Sequence, residues 1–217
     1  MVGLGWMSQV TRMPSSYPQA EPRYSADIIA GALMVPESRV IADLLLRGVT
    51  EADWKDAIAI RNVLKLRTRD SANRVSKLIR ARLEAMGPEL WKLVRDGTGS
   101  VANHATLAAS VKQSRLLGDF LGLVVAEQYR RFGTALSNKL WDDYLDGCRG
   151  RDPELAQWSD LTRRRLRSSV FQTLAQAGYI ENTRTLKLQT VHISELVLRY
   201  LRAHGEEYVV RCIEVAP

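Results

Sequence analysis

The chain has 217 residues, of which 46% are apolar and 25% charged, with 31 Lys and Arg against 24 Asp and Glu for a formal charge of +7. That is the make-up of an ordinary soluble globular protein with room for one large domain or two small ones. A membrane span needs roughly 20 mostly apolar residues, whereas the longest stretch without Asp, Glu, Lys or Arg, between Asp96 and Lys112, contains Asn103, His104 and Thr106.

Residues 1–23 hold Pro14, Pro18 and Pro22 without periodicity, which predicts a flexible leader, with Met7 and Met13 as alternative starts. No basic residue precedes the apolar part of this segment, so it makes a poor signal peptide. Helical patterns follow. SADIIAGALM (25–34) has Ser25 as its expected N-cap, and PESRVIADLLLRG (36–48) carries Pro36 at its start and Gly48 at its end. TEADWKDAIAIRNVL (50–64) opens with a Thr50 cap and acidic residues that suit the helix dipole. Further helices are expected over 70–87, 88–97, 100–117, 118–133 and 137–147, with 100–117 and 118–133 forming the buried centre. A GRDPEL loop leads to a basic helix, which ends at Gly178.

Beyond Gly178, YIEN and TLKLQTVHI are short and rich in β-branched and aromatic residues, which predicts a small hairpin. Helices over 194–205 and 206–215 close the chain. The expected architecture is mostly α: an N-terminal helical domain (24–135) and a C-terminal winged-helix-like domain (136–217) with that hairpin as its wing.

The basic helix is the most informative stretch. Leu166, Val170, Phe171 and Leu174 share one face by their spacing, and Arg165, Ser168, Ser169, Gln172 and Gln176 lie opposite. Arginine pairs with guanine, glutamine with adenine, and serine with either. Arg163, Arg164 and Arg167 crowd the helix start, where backbone N–H groups favour phosphate. Arg184 and Lys187 would sit on the wing. A second cluster, KLRTRDSANRVSKLIRAR (65–82), presents Arg67, Arg69, Arg74, Lys77, Arg80 and Arg82 with a single acid, Asp70. Asp70 or Ser71 is its expected cap. The two clusters could form one groove or two separate surfaces, and the alternative is that either merely solubilises a helix face.

No catalytic set is present: there is no phosphate-binding G-x-x-x-x-G-K-[ST], no G-x-G-x-x-G and no G-x-S-x-G. GTGS (97–100) reads as a helix break. His104, His192 and His204 are scattered, so no metal site is expected. Asp142, Asp143 and Asp146 read as a solvated helix face. Cys148 and Cys212 have no C-x-x-C spacing and no neighbouring His to activate them, so they read as reduced cytoplasmic thiols. The expectation is a non-enzyme without cofactor. Trp54, Trp91 and Trp141 are expected in interhelical packing, while Trp158 is open to either packing or base stacking.

YSADIIAGALMVPESRVIADLLLRG, then RTRDSANRVSKLIRARLE, then SRLLGDFL, resembles the BrxA family, a small helical component of BREX phage-defence islands; the resemblance runs from about Tyr24 to the C-terminus. It implies a cytoplasmic, mostly helical protein with likeness to NusB-type nucleic-acid-binding folds. It also implies a duplex-DNA-binding role beside a methyltransferase and an ATPase, with no active-site residues. Two other roles fit the residues: a subunit that assembles the defence complex through protein contacts, and an RNA-binding protein of the NusB kind.

Overall fold

The computed structural model describes residues 23–155 and 157–215, so the expected leader lies outside the described residues except for Arg23. The described chain is mostly helical. After a 3-10 turn, Asp27–Ala30, come α1 (Val35–Leu46), α2 (Glu51–Lys55), α3 (Arg69–Glu84), α4 (Pro88–Asp96), α5 (Gly99–Gln113), α6 (Arg115–Asp119), α7 (Ala126–Arg130), α8 (Asn138–Arg151), α9 (Asp160–Ala177), α10 (Glu195–Ala203) and α11 (Glu207–Ile213). A π-helical turn, Asp56–Ile60, extends α2, and another, Phe120–Val125, joins α6 to α7. Among the described residues no helix is long and apolar enough to cross a membrane.

α5 is the central rod. It packs against α1, α3, α4, α6, α9, α10 and α11, and His104 to Val111 are all buried. A helix surrounded on every side cannot carry a polar stripe. Alanines therefore dominate, and its hydroxyls are satisfied within the helix: Thr106 donates to the Ala102 carbonyl at 2.7 Å and Ser110 to that of Thr106 at 2.8 Å. One continuous apolar cluster runs from Tyr24 to Ile213 and includes side chains on both sides of residue 135. Within it Phe120, Trp141, Tyr144 and Phe171 pack edge to face or tilted, with ring centroids 5.0 Å apart for Phe120–Trp141, and so fix α8 and α9 to the α6–α7 region.

Several boundaries follow local chemistry as expected. Thr50 accepts the Asp53 N–H, and Gly178 ends α9 with φ +88°, a conformation open to glycine. Others differ. The expected helix 25–34 is only the turn Asp27–Ala30, because Ser25 donates to Asp27 instead of capping, and Met34 is left-handed at φ +52°. α3 is capped by Thr68, which accepts the Ser71 N–H at 3.1 Å, not by Asp70 or Ser71. The expected helix 100–117 breaks at Ser114, whose hydroxyl caps α6. α8 continues to Arg151 before Asp152-Pro153 stops it.

The expected wing hairpin does not form as strands. Two isolated antiparallel bridges replace it, Ile180 with Leu188 and Ala135 with Lys187. The turn consumes the segment: Asn182 Oδ1 accepts the N–H groups of Arg184 and Thr185, both at 2.9 Å, and Leu186 turns left-handed at φ +53°. Tyr129 then donates to the Gln189 carbonyl at 2.6 Å, removing it from any ladder.

Two long-range polar attachments hold the N-terminal segment. At one end, buried Asp119 accepts from Arg23 (2.6 Å), the Tyr24 hydroxyl (2.7 Å) and the Tyr208 hydroxyl (2.9 Å), while Asp152 accepts the Tyr24 N–H at 3.1 Å. At the other, the Arg82 guanidinium is buried and donates to the carbonyls of Ala32 (2.6 Å) and Gly31 (2.9 Å). Burial lowers the Arg82 pKa to about 10, so it remains charged at neutral pH.

Burial raises the Asp119 pKa, but hydrogen bonds from Tyr24, Arg23 and Tyr208 outweigh it and leave the carboxyl below its ordinary value. A depressed carboxylate stabilises the fold above its unfolded pKa, and that contribution is lost as pH falls through the folded value. Urea unfolding should therefore show stability falling as pH drops below the ordinary carboxylate range, with Asp119→Asn less stable by about 3 kcal/mol at neutral pH and less sensitive to acid. Arg82→Met should cost about 2 kcal/mol in the same assay, because it strands two part-buried carbonyls.

Candidate nucleic-acid interface

The arginines of α9 divide by helical phase. At about 100° per residue, Leu161, Arg165, Ser168 and Gln172 fall within one narrow sector. Leu166, Val170 and Leu174, all buried, lie opposite. Arg163 and Arg167 fall near the buried side and turn toward α8. Arg163 meets Asp146 at 2.9 Å and Arg167 meets Asp142 at 3.8 Å, with only 26% and 27% of their side chains exposed. Asp142 and Asp146, expected as a solvated face, are thus partners for two of the cluster's arginines.

The helix start differs from expectation too. Ser159 accepts the Thr162 N–H at 3.3 Å, and Asp160 occupies the first turn. The hollow beside it, about 460 Å³, is lined by Asp142 and Asp160 as well as Arg163, Arg164 and Arg167. Carboxylates there reduce its attraction for phosphate.

Arg164 and Arg165 face the other way, into a groove of about 790 Å³. Its walls are Arg164, Arg165, Ser168 and Ser169 of α9 and Arg74 of α3, and its floor is Ala26, Asp27, Ile29 and Ala30. A smaller hollow of about 350 Å³ shares Arg74, Asp27 and Ala30 with it and adds Lys77, Ala81 and Gln113. The two basic clusters, about 90 residues apart in sequence, therefore meet across the 3-10 turn, which packs on both α3 and α9. Among the described residues Arg74, Lys77, Arg164 and Arg165 enter no ion pair, and all four are exposed. One carboxylate, that of Asp27, sits at the floor; it accepts from Ser25 at 3.0 Å.

The other expected residues are placed apart. Arg80 bridges Glu51 and Glu84, both at 2.7 Å, and stacks 4.5 Å from the Trp54 ring centroid. Hydrogen bonds to Glu84 and Glu51 raise its pKa, so it serves the α2–α3 packing. Arg82 is buried as the clamp described above and takes no part in a surface. Arg67 precedes α3 and Arg69 opens it; both are exposed and line neither groove. Gln172 is exposed on the α9 stripe, and Arg184 and Lys187 are exposed around the 180–188 turn. Gln176 accepts the Leu33 N–H at 2.9 Å, so the far end of α9 is tied to the floor segment.

Spacing within α9 exposes the stripe but does not mark Ala26–Ala30 as the floor, since that contact spans more than 130 residues. Its one sequence trace is a run of small and apolar residues, ADIIA, too short for a helix of its own.

The remaining chemistry-bearing groups are structural. His104 Nδ1 accepts the Ser194 N–H at 3.0 Å, and burial lowers its pKa, so the ring is neutral. Burial also raises both thiols, Cys148 and Cys212. Among the described residues no group of three or more His, Cys, Asp or Glu is placed to hold a metal. Trp91 donates to the Leu83 carbonyl at 2.6 Å, Trp141 is fully buried, and Trp158 is half-buried against the core, so packing accounts for each.

Comparison with known proteins adds an identity. The family model BrxA matches residues 22–205. The BREX protein BrxA of Paramagnetospirillum magneticum is 52% identical over 197 residues, covering 91% of this chain and 99% of that protein. The BREX protein BrxA of Escherichia coli O9:H4 is 29% identical over 188 residues, covering 87% and 88%. A crystal structure of an uncharacterized protein from Magnetospirillum magneticum superposes with a TM-score of 0.84 at 51% identity, over 90% of this chain and all of that one. A match over this much of the chain, together with the helical fold it shares, places the protein in the BrxA family.

Proposed function

We propose that this protein is a non-catalytic DNA-binding accessory component of a BREX bacteriophage-defence system, acting in the cytoplasm beside partners such as the methyltransferase and ATPase. The observation that carries this reading is the groove in which Arg74 of α3 meets Arg164 and Arg165 of α9. Unpaired guanidiniums from two helices on one concave surface attract a polyanion, and each phosphate they neutralise releases counterions. Arg165, Ser168 and Gln172 form the outward face of α9, with groups suited to base edges.

The order α8, α9 and turn sets a C-terminal helical part after the 24–135 helical part; in place of a wing, Arg184 and Lys187 lie in the 180–188 turn, with Lys187 bridged to Ala135. In this arrangement Arg67, Arg69 and Lys77 extend the positive surface along α3, and Arg80, Arg163 and Arg167 act through packing.

A second reading, assembly through protein contacts, has one observation in its favour. Phe132 is 91% exposed, and its backbone is left-handed at φ +55°. An exposed aromatic of this kind suits a protein interface.

Binding titrations with duplex DNA, single-stranded DNA and RNA over a salt series separate these readings. Duplex should be preferred. The triple variant Arg74→Ala, Arg164→Ala, Arg165→Ala should bind at least tenfold more weakly, with a salt slope lower by about 2 to 3. Arg163→Ala with Arg167→Ala should lower thermal stability and leave the slope nearly unchanged. Triple-variant binding equal to wild type would refute the groove, indifference to every nucleic acid would favour assembly, and a preference for RNA would favour the NusB-like role.

A further inference from the structure

The outward sector of α9 begins with a residue that phosphate attraction does not explain. Leu161 is 51% exposed in the first turn, in line with Arg165, Ser168 and Gln172. The other large exposed apolar side chains, Ile60, Leu123, Phe132 and Leu196, belong to other elements. From Leu161 to Gln172 the sector runs for about 16 Å at 1.5 Å per residue, a length that follows several base pairs along a major groove. The first turns of a recognition helix are the part that reaches base edges. There an apolar side chain has one complementary group, the C5-methyl of thymine.

We infer that Leu161 is a specificity-determining residue that packs on a thymine C5-methyl in the major groove, about one helical turn along α9 from Arg165 and about three from Gln172. The inference rests on the DNA-binding reading above and deepens it. Arg164 and Arg74 hold the backbone, and Leu161 adds a contact that distinguishes thymine from uracil. RNA lacks that methyl, and its A-form major groove is too deep and narrow for side chains to read. The same leucine therefore favours DNA over RNA.

The test uses duplexes selected by the full-length wild-type protein from a random-sequence pool, each remade with deoxyuridine in place of thymidine. The substitution removes the methyl group and leaves the charge and base pairing in place. Wild type should bind the thymidine duplex about fourfold more tightly for each methyl contacted, the effect of burying one such group. Leu161→Ala should bind both duplexes alike, with an unaltered salt slope; the side chain is half exposed, so its melting temperature should match wild type. Wild-type binding that is salt-dependent but indifferent to the methyl would overturn the role of Leu161 and leave the DNA-binding reading standing. Discrimination that persists in Leu161→Ala would assign the methyl contact to another residue. Failure of wild type to bind any duplex would overturn both.

Discussion

The segment from Arg23 to Leu33 is held in place by side chains remote in sequence, and the candidate surface depends on that fastening. Asp119 takes Arg23 and Tyr24 at one end, and Arg82 takes the Gly31 and Ala32 carbonyls at the other. Between them the 3-10 turn Asp27–Ala30 lies against both α3 and α9 and forms the groove floor. Without it, Arg74 and Arg165 would stand on two helices with an unfilled gap between them. Arg82 is unusual in spending its charge on backbone. A buried guanidinium is tolerated because the two carbonyls accept hydrogen bonds from its terminal nitrogens.

Charge on this protein is sorted by helical phase. Four arginines in five positions cannot share a face, because successive residues turn by about 100°. Arg163 and Arg167 therefore reach back to the acids of α8, while Arg164 and Arg165 face outward. On α3 the division recurs: Arg74 and Lys77 line the hollows, Arg80 is occupied by Glu51 and Glu84, and Arg82 is internal. Electrostatic attraction is thus concentrated in far fewer cations than the clusters contain. The inward pairs tie α9 to α8 and α3 to α2.

Much of the frame was legible from residue order. Thr50 and Gly178 mark helix ends by local chemistry, and Leu166, Val170 and Leu174 identify the buried side of α9. Elements governed by distant partners were not legible in this way. Residues 25–34 have good helical composition, yet Arg82 takes the Gly31 and Ala32 carbonyls and Met34 turns left-handed. The segment after Gly178 has good β composition, yet Asn182 and Tyr129 take the backbone groups that a longer ladder would need.

The sequence alone determined a helical protein whose basic residues gather in two stretches, because caps, periodicity and composition act over a few neighbouring positions. Which arginines face outward along α9 was also implicit in that periodicity. Tertiary structure alone decided that Arg74 and Arg165 share a groove, that Arg82 is a clamp, and that Ala26–Ala30 lies between them. Those outcomes depend on contacts between segments 50 to 143 residues apart, where packing and the pairing of buried polar groups prevail over local preference.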